Sequence, residues 1–133
     1  MMNPRLSKLT VNAQAAVTAK LLDGGSVEFF EGEPPDDPDT APADDQLLCR
    51  CALAAVAFAA PRGGVLTANK ADRGIAIKGG EPGWVRLVTK EGEPVADGLV
   101  GTTNADATGN VKEFVAGQFV DITGFTFRIA RRR

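Results

Sequence analysis

Two charged poles stand out among the residues whose types could do chemistry. Residues 31–45 (EGEPPDDPDTAPADD) hold seven acidic side chains and four prolines with no basic residue. The carboxylates of Asp36, Asp37, Asp39, Asp44 and Asp45 could offer hard oxygens to Ca²⁺. Their spacing matches no EF-hand loop, because the fixed Gly and the terminal Glu are missing. Pro34, Pro35 and Pro38 also restrict any wrap around an ion. No metal is therefore assigned to this segment, and it reads as a solvated loop or as an arm that docks on a partner. At the other pole stand Arg128, Arg131, Arg132 and Arg133. They could touch phosphate, but the chain as a whole carries a formal net charge of −2, which argues against a general nucleic-acid binder. Arginine forks carboxylates bidentately, so this basic end on one copy could meet the acidic loop of another. A solvated terminus is the plainer reading.

The remaining candidates are sparse. Cys49 and Cys51 form a C-x-C pair whose side chains fall on one side of a strand, a spacing that suits neither a redox turn nor a zinc knuckle. They read as small buried hydrophobes. Trp84 and Arg86 share a strand face and could stack on a ligand, although a single Trp in a β domain belongs more naturally to the core. The glycine pairs fit no phosphate-binding motif and read as turns. The chain contains no His, so Ser-His-Asp and Cys-His arrangements are excluded. Carboxylate chemistry is the enzymatic option left, with Glu28 or Glu31 and an acid from the loop, as in glycoside hydrolysis. Those groups lie in or beside a loop poorly suited to pre-organisation. The expectation is a protein without catalytic, cofactor-binding or metal residues, in which the two charged poles are the candidate partner-docking groups.

A length of 133 residues suits one domain able to bury its own core without metals or disulfides. The longest apolar run, CALAAVAFAA from residue 51, is about half of the ~20 residues needed to span a bilayer. The first residues show no apolar signal-peptide core, so the expectation is a protein made in a cytoplasm, with both cysteines as free thiols and no membrane partner.

Residues 5–22 are predicted to form a helix. Leu6, Leu9, Ala13, Ala16, Val17 and Leu21 recur at three- and four-residue steps and would make its buried face, with Asn3-Pro4 as start signal and Gly24-Gly25 as stop. Residues 26–31 read as a strand with Val27 and Phe29 on one face and Glu28 and Phe30 on the other. Residues 46–58 are read as a further strand. From residue 61 onward, short runs lie between regularly spaced turn residues: 65–68, 75–77, 84–89, 95–102, 113–115 and 119–129. The Asp97-Gly98 step could itself be a turn that splits its run. This punctuation predicts a mainly β fold, an antiparallel β-sandwich or jelly roll with one N-terminal helix. The whole chain, 1–133, reads as one domain with its β-rich core in 61–129 and a basic tail at 130–133.

The order of these pieces carries a resemblance. A helix leads to "SVEFFEGEPP…ADDQLLCRCALAAVAFAAPRGGVLTAN", then "GWVRLVTKEGEPVADGLVGT", then "FVAGQFVDITGFTFRI". The chain from about residue 5 to 129 resembles small proteins encoded among the structural genes of tailed bacteriophages; the acidic Pro-rich loop and the Arg-rich end depart from their pattern. The resemblance implies a virion component, first of all a capsid cement (decoration) protein. Such a protein binds between major capsid subunits, stabilises the shell by mass action and self-associates as a dimer or trimer. A tail, baseplate or fibre-attachment component is the alternative. A glycan-binding β domain is a rival from another class, disfavoured because the chain has one Trp and no Tyr for aromatic platforms.

Overall fold

The computed structural model describes residues 7–42, 44–63, 65–100, 107–109 and 113–128. The chain is mainly β, with one helix and antiparallel sheets. Helix α1 spans Lys8–Leu21. It begins three residues later than expected because Ser7 is the N-cap: its backbone is extended and its Oγ accepts from the Thr10 N–H at 3.2 Å. The helix stops at Leu22. The Gly24 N–H, freed by a positive φ of 72°, donates to Ala54 O at 3.0 Å.

The buried face of α1 is the opposite of the predicted one. Val11, Ala15 and the adjoining Leu22 are fully buried, whereas Leu9, Val17 and Leu21 are 81%, 63% and 53% exposed. Ala13 and Ala16 are exposed with them. The physical reason is that both faces are apolar, so spacing alone does not set the roll. The turn after the helix sets it. The Asp23 carboxylate accepts from the Ala57 N–H at 2.9 Å, which ties the turn to the body and drives Leu22 inward. Val11 and Ala15 lie on the same face as Leu22 and follow it.

The main sheet has the strand order β2 (Leu47–Ala52), β1 (Ser26–Glu31), β5 (Pro82–Val88), β6 (Pro94–Leu99), all antiparallel. Alternation along these strands separates two faces. Val27, Phe29, Cys49, Cys51, Val85 and Leu87 point inward to the hydrophobic core, which also takes in Ala15, Leu22, Phe58 and Leu66. Phe29 meets Phe114 edge-on at 5.6 Å. Glu28, Phe30, Arg50, Trp84, Arg86 and Asp97 point to the other, outer face, as the registers require.

Beyond β2 the segment 72–77 continues the sheet irregularly, with Ile77 N–H to Leu48 O and Asp72 N–H to Ala52 O both at 2.8 Å. It contains β4 (Gly74–Ile75), whose partner is β8 (Phe119–Val120). A Cβ on Gly74 would sit 2.7 Å from Arg50 O and 2.8 Å from each cysteine sulfur, so glycine is what lets β4 lie this close to β2. The third sheet orders β3 (Val65–Thr67), β9 (Ile122–Arg128) and β7 (Ala107–Gly109). These antiparallel sheets are compatible with a sandwich.

Several expected strands change. Residues 46–58 hold a strand only to Ala52; beyond it the backbone turns back to bond with the helix end, where the Leu53 N–H reaches Gly25 O at 2.8 Å. Residues 113–115 form only an isolated bridge, Phe114 to Gly80. The last run breaks at Asp121 because β8 and β9 serve different sheets. Asp97-Gly98 is no turn: it lies within β6, opposite Arg86 and Val85.

Candidate functional site and surfaces

The outer face of the main sheet carries a row of alternating charge. Arg50 on β2, Glu28 on β1, Arg86 on β5 and Asp97 on β6 stand directly opposite one another in register. Arg50 pairs with Glu28 through Nη2 and through Nε, the latter at 2.9 Å. Arg86 forks Asp97 bidentately, Nε to Oδ1 at 2.7 Å and Nη2 to Oδ2 at 3.1 Å. Those bonds raise the Arg86 pKa further above its ordinary value against the opposing effect of burial, and the guanidinium is only 4% exposed. It also lies over the Trp84 ring at 5.3 Å, and that ring stacks on Phe30 at 4.4 Å. Trp84 is fully buried, as a core reading expects, while its Nε1 has no hydrogen-bond partner among the described residues.

The acidic segment is folded onto this face. Arg86 Nη1 donates to Thr40 O at 2.7 Å. The Asp37 carboxylate accepts from the backbone N–H groups of Asp39 and Thr40, at 2.9 and 3.1 Å, which closes a local Asx-type turn. The segment is thus a strap across the outer face, and Glu33, Asp36, Asp37 and Asp39 on it are exposed. Asp44 and Asp45 lie in a short 3₁₀ turn, and the carbonyl of Asp45 accepts from Lys78 Nζ, which also pairs with Glu31 at 2.9 Å. Arg128 ends β9 opposite Val65. Arg131, Arg132 and Arg133 lie outside the described residues.

The chemical options read as follows. No cluster of three or more metal-ligating side chains occurs among the described residues. Cys49 and Cys51 are free, buried thiols on the same side of β2. Glu28 is engaged by Arg50 and Glu31 by Lys78. Glu31 and Glu81 line an open cleft of about 500 Å³ with Gly32, Pro82 and Gly83, and Glu31 is held there by Lys78.

Two apolar surfaces face solvent, the first expected from the sequence to be buried and the second not identified from it. One is the ridge of Leu9, Ala13, Val17 and Leu21 on α1. The other is the ribbon β4–β8, where Ile75 and Phe119 are register partners and, with Ile77 and Val115, are more than half exposed. Arg73 flanks that ribbon: its guanidinium lies 4.9 Å from the Phe119 ring centre and forks Asp121, whose carboxyl it holds below the usual carboxylate range. The exposure of the ribbon left no pattern in the sequence to find. The Arg86–Asp97 pair is hidden too, because a register shift between Leu87 and Val88 breaks the count outward from the Glu91-Gly92 turn.

No protein-family model matches this chain, and no curated protein or solved structure matches it. Among the described residues, no helix is long and apolar enough to cross a membrane.

Proposed function

We propose that this protein is a non-catalytic virion component of a tailed bacteriophage, and within that class a capsid cement protein that binds between major capsid subunits and stabilises the shell. The observation that carries the assembly reading is the β4–β8 ribbon. Ile75, Ile77, Val115 and Phe119 stay in water although the domain closes its own core elsewhere. A rigid sheet that presents a group of apolar side chains beside an Arg73–Asp121 pair has the make-up of an interface: an apolar centre with a polar rim. The phage assignment rests on the order of turns and apolar runs in the sequence. Shell symmetry would repeat each modest contact many times, which suits a small domain with limited contact area.

The test is to image purified particles and count copies of this chain on them. Hundreds of ordered copies at capsid-subunit junctions are expected. A handful at the tail would move the protein to a tail or baseplate role, and none would end the virion reading. Phe119→Asp with Ile77→Asp should lower occupancy on particles while circular dichroism stays unchanged. Undiminished occupancy would remove the ribbon from the interface.

A further inference from the structure

A second surface remains, and its charge says what covers it. The exposed ridge of α1 runs Leu9, Ala13, Val17, Leu21 at four-residue steps, with Ala16 beside it, so the side chains form one continuous row about 18 Å long. Lys20, four residues after Ala16, lies on the same side. Lys8 stands in the first turn on the other side of the helix, and the helix holds no acidic residue to offset Lys20 or the positive end of its dipole. The ridge is therefore apolar and basic. The strap, residues 31–42, is its complement: it exposes Glu33, Asp36, Asp37 and Asp39 between prolines and contains no basic residue.

Within one molecule the two cannot meet. The far side of α1 is sunk in the core on the inner face of the main sheet, through Ala15 and Leu22. The strap is held to the outer face by the bond from Arg86 to Thr40. The sheet lies between them.

We propose that the α1 ridge of one copy binds the acidic strap of a second copy, head to tail. Leu9, Val17 and Leu21 pack against the strap's prolines and Ala41, and Lys20 and the positive end of the helix dipole beside Leu9 face its carboxylates. The contact is heterologous, so a pair of copies keeps one unused ridge and one unused strap, and association continues until a ring closes. The inference does not depend on which particle, if any, the protein joins, because it concerns the purified chain alone.

Analytical ultracentrifugation of the purified protein tests it. Species larger than a dimer are expected at high micromolar concentration, and they should weaken as salt rises. Leu9→Asp with Val17→Asp should give a monomer. So should Asp36→Lys with Asp37→Ser and Asp39→Lys. Both sets change exposed side chains, and circular dichroism checks that each variant is folded. Lys20→Glu alone should weaken association about threefold to fivefold, as loss of an exposed ion pair does. The deciding measurement mixes the two monomeric variants. Each retains the surface the other lacks, so the mixture should form a heterodimer and stop there. A wild-type protein that stays monomeric overturns the proposal. So does a strap variant that still self-associates, which would mean helix-on-helix pairing, and so does a mixture that remains monomeric. Should the helix variant fail to fold, Leu9→Gln with Leu21→Gln replaces it in the same mixing experiment.

Discussion

The Arg86 guanidinium is almost fully withdrawn from water, and the Asp97 carboxylate is what makes that tolerable. Asp97→Ala would leave a buried cation without its fork, a loss on the order of 3–5 kcal/mol. The paired change Arg86→Met with Asp97→Leu should fall within about 1–2 kcal/mol of the parent, because both charges leave together. Urea unfolding followed by the fluorescence of Trp84, the single tryptophan, measures both. A second residue-scale effect concerns the thiols. The neighbouring Cys49 sulfur, together with burial, pushes the Cys51 thiol far above its ordinary range. Folding thus holds that proton more tightly than the unfolded chain does. The stabilisation is complete below the unfolded thiol pKa, about 8.5, and declines as pH rises beyond it. Urea midpoints taken from pH 7 to 10 should fall above that value in the parent and fall less in Cys51→Ala. Arg86–Asp97 was not legible, because Asp97-Gly98 carries a turn signature and a register shift between Leu87 and Val88 breaks the hairpin count. Glu28–Arg50 was not either, because the long strap intervenes between β1 and β2 and hides the count.

At the scale of the element, α1 shows why spacing alone misleads. Leu9, Ala13, Val17 and Leu21 repeat as regularly as Val11, Ala15 and Leu22, so the sequence contains two apolar faces and no criterion for choosing between them. The choice depends on the turn that follows, through Asp23 and Ala57, and such a tertiary contact leaves no periodic trace. The contrast is measurable. Val11→Ala removes fully buried methyls and should cost about 2 kcal/mol. Val17→Ala removes exposed ones and should stay within about 0.5 kcal/mol. Thermal melts of the two variants give the answer, and equal losses would mean that the helix is rolled otherwise. The strands fared better. β1, β3 and β5 lie where alternation and turn residues put them; β7 was not expected, and the other misplacements fall at residues 53–58, 113–115 and 121, where the partner strand rather than the local pattern decides.

For the whole molecule, the decisive property is that closure comes from the far end of the chain. β9, residues 122–128, is the shared partner of β3 and β7, and β8 is the partner of β4. A chain ending at Gly109 would keep the hairpin of β5 and β6 but lose these partners and Val120 from the core. It should show no cooperative thermal transition in near-ultraviolet circular dichroism. A sharp transition in that fragment would contradict the shared core described above. The same topology bears on how the protein is made. β1 leaves the ribosome some fifty residues ahead of β5, which covers its second edge. Throughout that interval the nascent chain displays Val27, Phe29 and Phe30 in a strand ready to pair with a neighbour. The strap follows directly behind it. Its dense negative charge and prolines are poor β material and repel their own kind, so the segment that lies across the outer face is one that disfavours pairing between unfinished chains.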